Sequence, residues 1–168
     1  DFEPTLKCIV RAGAGYNNIP VDRCSEKGIA VFNTPGANAN AVKELVIASL
    51  ILSARQVIPS TDWVKTLKGH GDKVSTEVEA GKSQFEGPEI LGKTLGVVGL
   101  GAIGSLVANA ADALGMRVLG YDPFLSVDAA WNLSSNIQHI NDLDTIYAES
   151  DYITLHLPSN NETNGMIN

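Results

Sequence analysis

The sequence predicts an α/β protein: a doubly wound parallel sheet, with the end of a second, smaller α/β unit ahead of it. Three observations predict it. From residue 93 onward, short β-branched runs alternate with helical segments. A glycine cluster, Gly99-Leu100-Gly101-Ala102-Ile103-Gly104, falls between the first of those runs and the helix after it. The start of the chain repeats the strand–helix–strand rhythm on a smaller scale, between turns rich in glycine and proline.

The elements follow in order. Lys7–Arg11 is a short β-type run that ends in Arg11-Ala12-Gly13-Ala14-Gly15. A polar helix is expected over Val21–Lys27, closed by Gly28, and a second strand over Ile29–Asn33, ended by Thr34-Pro35-Gly36. A long helix is predicted from Asn40, as N-cap, to about Val57, with Glu44 in its first turn. Val42, Leu45, Val46 and Leu50 trace one face of it and Ile47, Ala48, Ile51, Leu52 and Ala54 most of the other. A helix apolar nearly all round is expected to be buried on both sides, as a spine between domains or subunits. Thr66–Glu89 reads as linker with one short helix on Val74 and Val78, anchored by Phe85 and bounded by Pro88 and Gly92. Beyond it come a strand at Thr94–Gly99, a helix at Ala102–Leu114, a strand at Arg117–Tyr121 and a weak strand at Ile137–Ile140. A helix at Asp142–Glu149 and a strand at Asp151–Leu157 complete the pattern. The expected strand order is third-second-first-fourth. The implied divisions are residues 1–38, 39–92 and 93–168.

Composition narrows the possibilities. The 168 residues are 44% hydrophobic and 18% charged, a globular balance. With 12 basic and 19 acidic residues, a net charge of −7 and no Lys/Arg cluster, nucleic acid is not an expected partner. The apolar stretch Leu45–Ala54 falls far short of the roughly 20 residues a membrane span needs. No basic stretch followed by an apolar core stands at the N-terminus, so a cytoplasmic location is expected. Cys8 and Cys24 lie far apart and are expected to be buried free thiols; no metal site is expected.

The glycine cluster carries the most specific chemistry. G-x-G-x-x-G is weak by itself, but here it follows a strand and opens a helix, the context of a dinucleotide-binding βαβ unit. Gly99 would make the tight turn, Gly101 would let a pyrophosphate approach, and Gly104 would let helix and strand pack closely. The N–H groups of the first helical turn would bind phosphates without any basic side chain. Asp122 ends the next strand, 18 residues past Gly104, where an acid accepts hydrogen bonds from an adenosine ribose. A carboxylate there repels a 2′-phosphate, so the expected cofactor is NAD rather than NADP; the plainer reading is a turn residue before Pro123. The Arg11–Gly15 turn could expose successive N–H groups as an anion nest, with Arg11 holding a second anion, or could be a structural turn with a surface arginine. His156 ends the fourth strand, where open parallel sheets bind ligands. It has no acid beside it in sequence, which favours positioning of the cofactor loop over a role as base.

Four motifs occur together, in order: Arg11-Ala12-Gly13-Ala14-Gly15-Tyr16-Asn17-Asn18-Ile19; Asn33-Thr34-Pro35-Gly36; the glycine cluster with Gly120-Tyr121-Asp122-Pro123; and His156-Leu157-Pro158. In these the whole chain resembles the D-isomer-specific 2-hydroxyacid dehydrogenases, and its Arg-Ala-Gly start resembles the members that oxidise 3-phosphoglycerate. The resemblance implies a Rossmann-type NAD-binding domain, incomplete here, preceded by the end of a flavodoxin-like substrate domain. It implies that N–H groups around Gly13 and Ala14 bind a substrate carboxylate, that Arg11 reaches its phosphate, and that Thr34 lies near the nicotinamide. Gly99, Gly101, Ala102, Ile103 and Gly104 would wrap the pyrophosphate and Asp122 the ribose, while Pro123, His156, Leu157 and Pro158 would border the cofactor. It further implies a homodimer or larger homo-oligomer, with the helix from Asn40 at the interface. The family's catalytic arginine, histidine and carboxylate follow the His-x-Pro loop and are not in this chain, so no catalytic residue is expected here and the chain alone should be inactive. Lactate-, glyoxylate- or hydroxypyruvate-specific relatives, and NAD-binding corepressors of the same family, remain open alternatives.

Overall fold

The computed structural model describes residues 2–167. Strand β1 (Cys8–Arg11) leads through helix α1 (Val21–Glu26) to β2 (Ala30–Asn33), and the two strands pair in parallel from Cys8↔Ala30 to Arg11↔Asn33. Three helices follow: α2 (Ala39–Ala54), α3 (Val57–Thr66) and α4 (Val74–Gly81), the last flanked by 3₁₀ turns at Gly71–Lys73 and Lys82–Phe85. The larger unit runs β3 (Thr94–Val98), α5 (Gly104–Ala113), β4 (Arg117–Tyr121), α6 (Val127–Ala130), β5 (Gln138–His139), α7 (Leu143–Glu149) and β6 (Tyr152–Leu155). Its strands are all parallel in the order β5-β4-β3-β6, the expected doubly wound arrangement.

β3 occupies the centre because every residue of Thr-Leu-Gly-Val-Val is buried, as a parallel strand covered on both faces requires. On one face Leu95 and Val97 meet Val107, Ala108 and Ala111 of α5, together with Leu100, Met116, Val118 and Leu50 of α2. The alanines let α5 lie close to the sheet. On the other face Val98, Leu119 and Ile146 form a smaller core, closed by Ile140, Leu143, Leu157 and Met166. The entry to the sheet is clipped by Asp151, whose carboxylate accepts the Thr94 N–H at 2.8 Å and the Lys93 ammonium at 3.2 Å.

The structure corrects several expectations. The long helix does not run through to Val57. Gln56 adopts a left-handed conformation (φ +49°), which ends α2 at Ala54 and starts α3. Pro59 explains the break: in a continuous helix its ring would meet the Arg55 carbonyl, whereas in the first turn of a new helix it is tolerated. α3 was not expected; its Trp63 packs on Phe85 with ring centroids 5.3 Å apart, which gives Phe85 its anchoring role. Asn38, not Asn40, stands at the N-cap of α2, and it makes no side-chain cap bond. Asn40 lies inside the first turn, bonded to Glu44 at 2.7 Å and to Lys43 at 2.6 Å.

Nor is α2 buried all round. Leu50 and Ala54 face inward, while Leu45 is 68% exposed and Ile51 and Leu52 are also open. Cys24 is buried as expected, but Cys8 is exposed on β1, and both are free thiols. The weak third strand contracts to Gln138–His139. Among the described residues no helix is long and apolar enough to cross a membrane, and no cluster of metal-ligating side chains occurs.

Candidate cofactor site

The C-terminal ends of β3, β4 and β6 converge on the glycine cluster. Gly99 leaves β3 with φ +90°, and its N–H donates to the Tyr121 carbonyl at 2.8 Å, so the loop begins locked to β4. A Cβ at Gly99 would lie 2.7 Å from the His156 carbonyl oxygen and 2.9 Å from Leu157. A Cβ at Gly104 would land on the Gly99 carbonyl oxygen. The fold itself therefore demands both glycines. Gly101 is different: its φ is not in the left-handed region, and nothing lies within 4 Å of where its Cβ would be. No packing among the described residues requires a glycine there. The N–H groups of Gly101, Ala102, Ile103 and Gly104 have no hydrogen-bond acceptor among the described residues. They form the open first turn of α5, where a phosphate is favoured by both free donors and the helix dipole.

Asp122 sits at the end of β4, half-buried beside this turn. One carboxylate oxygen accepts the Leu100 N–H at 2.8 Å, and the other accepts the Phe124 N–H at 2.9 Å across Pro123. Next to Asp122 and Pro123 is a cavity of about 740 Å³, lined also by Leu125, Trp131, Ile137 and Ile140.

On the other side of the loop, the His156 N–H donates to the Val98 carbonyl at 2.8 Å, so β6 delivers His156 and Leu157 against Gly99. The half-buried imidazole lies 3.0 Å from the Thr154 hydroxyl and has no carboxylate bonded to it among the described residues. Burial pushes its pKa below the ordinary histidine value, so the ring is neutral at pH 7. In the unfolded chain the same ring titrates near about 6.5. Between that value and the lower folded one the unfolded state binds more protons, so stability falls as pH drops through the window. His156→Gln should flatten this part of the stability–pH curve, measured by urea denaturation at stepwise pH. An unchanged curve would mean that His156 is not the group responsible. Pro158 is held by its carbonyl, which accepts the Thr163 hydroxyl at 2.6 Å.

The small sheet carries the remaining candidate residues. The Gly13 N–H donates to the Thr34 hydroxyl at 2.7 Å, and the Thr34 N–H returns a bond to the Gly13 carbonyl at 3.1 Å. The Asn33 amide donates to the Ala14 carbonyl at 2.9 Å, and Arg11 Nε donates to the Gly15 carbonyl at 3.1 Å. These bonds lace the Arg11–Gly15 turn to the end of β2. They also occupy the Gly13 N–H, which is thus not a free donor; Ala12, Ala14 and Gly15 are the N–H groups of the turn without an acceptor among the described residues. A Cβ at Gly36 would stand 3.6 Å from that of Ala102, so the Thr34–Gly36 turn reaches the glycine cluster. Gly36, the Thr34 latch and the Leu100–Asp122 bond escaped the sequence reading. Thr34-Pro35-Gly36 was visible as a turn, but none of the three contacts has a local signature, since each joins residues 21 or more positions apart.

A strand–glycine turn–helix unit with an acid at the end of the next strand defines a dinucleotide-binding protein. The family model for the NAD-binding domain of D-isomer-specific 2-hydroxyacid dehydrogenases matches residues 47–168, and the chain belongs to that family. It is 41% identical over 163 residues to D-3-phosphoglycerate dehydrogenase from Synechocystis, covering 97% of this chain and 27% of the relative. It is 40% identical, again over 163 residues, to hydroxypyruvate reductase from Thermotoga maritima, covering 97% and 48%. Among solved structures, D-lactate dehydrogenase from Aquifex aeolicus, complexed with NAD and lactic acid, superposes with a TM-score of 0.74 at 34% identity, covering 98% and 45%. The chain thus spans between about a quarter and half the length of these relatives.

Proposed function

We propose that this chain is the NAD-binding portion of a D-3-phosphoglycerate dehydrogenase, the enzyme that oxidises 3-phosphoglycerate to 3-phosphohydroxypyruvate at the start of serine biosynthesis. The observation that carries the cofactor half of this reading is Gly101, a glycine that packing leaves unexplained and the first of four successive free N–H groups. The diphosphate of NAD lies on Gly101, Ala102, Ile103 and Gly104, its adenosine ribose on Asp122, and its nicotinamide toward Thr34. Pro123, His156, Leu157 and Pro158 border it. Residues 1–38 belong to the substrate domain, 39–92 connect the domains, and 93–168 bind the cofactor.

The substrate half rests on Arg11. Its Nε is tied to the turn it serves, while its terminal amino groups have no partner among the described residues. They stand ready for a phosphate, with the substrate carboxylate on the Ala14 and Gly15 N–H groups. Because Thr34 occupies the Gly13 N–H, these donors lie one position further along than the family resemblance implied. His156, bonded to a hydroxyl instead of a carboxylate, serves binding and not proton transfer, so this chain does not turn over a hydroxy acid alone. The exposed face of α2 fits a homodimer or larger homo-oligomer, and the enzyme would work in the cytoplasm.

Hydroxypyruvate and D-lactate are the rival substrates, and Arg11 discriminates among them. In the longer protein that carries this chain, Arg11→Gln should raise KM for 3-phosphoglycerate about 30-fold or more, the loss of one charge-assisted phosphate contact. An unphosphorylated 2-hydroxy acid should be affected less than about threefold. Equal losses for both would sink the phosphoglycerate assignment and leave the cofactor reading intact.

A further inference from the structure

We infer that Asp122 is a positioning residue for the diphosphate loop as well as a ribose ligand: its carboxylate holds the glycine cluster in its binding shape before any cofactor arrives. The inference rests on the reading of Gly99–Gly104 as the diphosphate site. Its basis is the direction of two bonds. The Phe124 N–H, two residues on, fixes one carboxylate oxygen in a side-chain turn, with Pro123 restricting the backbone between them. The other oxygen is thereby aimed across the sheet edge at the Leu100 N–H, 2.8 Å away. Leu100 is 1% exposed, so its side chain is anchored in the core on the α5 side. An amide there with no acceptor would be costly, and the loop could regain a partner only by leaving its present conformation.

Gly99 bonds to Tyr121 and Leu100 to Asp122, so two successive amides of the loop are pinned to β4. The amides of Gly101 to Gly104, which bonds from β4 do not reach, are left without an acceptor among the described residues. The carboxylate keeps its ribose role, since each oxygen has a second lone pair and only one of them is used here. A residue that touches only the ribose would influence adenosine and its diphosphate derivatives alike. One that also shapes the loop must change how much the diphosphate adds.

The test uses this 168-residue chain as wild type, Asp122→Ala and Asp122→Asn. Hydrogen exchange of the Leu100 amide, followed by NMR without cofactor, should accelerate about tenfold or more in Asp122→Ala, while the Val97 amide in β3 keeps its protection. In parallel, dissociation constants are measured for adenosine and for ADP-ribose. The ratio of the two, which is the gain supplied by the diphosphate and distal ribose, should fall about fivefold or more in the variant. Unchanged Leu100 exchange together with an unchanged ratio overturns the inference and leaves Asp122 a ribose ligand alone. Should Asp122→Ala fail to fold, Asp122→Asn decides: its single acceptor oxygen can replace the bond to Leu100 or to Phe124 but not both, so exchange at one of these two amides should accelerate, and unchanged exchange at both with an unchanged ratio overturns the inference. A wild-type chain that binds neither ligand overturns the cofactor reading itself, and the exchange result then still decides whether Asp122 holds the loop.

Discussion

Gly104→Ala should destabilise this domain by about 3 kcal/mol or more, the upper range for a side chain forced into filled space. The added methyl would coincide with the Gly99 carbonyl oxygen, which is main chain and cannot rotate aside. Gly99 is itself fixed by its N–H bond to Tyr121 and by the His156 carbonyl behind it. Relief therefore requires α5 to move off β3. That separation would open the core where Val107, Ala108 and Ala111 meet Leu95 and Val97. Equilibrium urea denaturation checks the prediction. A variant as stable as wild type would show that the close approach of α5 to the loop is not needed for packing.

Gly101→Ala should have the opposite character, leaving stability within about 0.5 kcal/mol of wild type and weakening NAD about 100-fold. The first half follows because nothing lies within 4 Å of the new methyl, and exposed substitutions away from special conformations are near neutral. Trading glycine for alanine also removes some freedom from the unfolded chain, which acts in the stabilising direction. The second half follows because the methyl would occupy the open space over Gly101, where the loop's free N–H groups are presented. Loss of one or two hydrogen bonds to a charged group, at about 1.5–3 kcal/mol each, corresponds to roughly 10- to 100-fold or more. Thermal denaturation and calorimetric titration with NAD, made on the same sample, separate the two effects. Undiminished binding would mean that the diphosphate lies elsewhere. The pair of variants distinguishes a glycine that the fold requires from one that only a ligand can explain, although the two stand three positions apart in one motif.

Much of this architecture was legible in the residues. The apolar run Leu95–Val98 of β3, the turn after it and the small-residue face of α5 each have a local signature, and the strand order found is the expected one. Helix boundaries were less legible. The break at Gln56 was readable in principle, since Pro59 cannot sit inside a helix that includes Arg55, but an apolar periodicity running through the region obscured it. The burial expected of α2 and Cys8 failed for another reason. Hydrophobicity tells how much surface a segment is suited to hide, not whether the partner that hides it lies in the same chain.

What the sequence determined by itself was the kind of site: a strand, a glycine turn, a helix and a terminal acid can be recognised from spacing, because backbone geometry and the helix dipole act locally. What only the tertiary structure decided was which groups are free to act. The Gly13 N–H is taken by Thr34, the Leu100 N–H by Asp122, and the His156 ring by a hydroxyl, while Ala14, Gly15 and the loop from Gly101 onward keep their donors open. A hydrogen bond depends on position and direction to within a fraction of an ångström. Residues separated by 20 or more positions acquire that relation only when the sheet has brought their strands together.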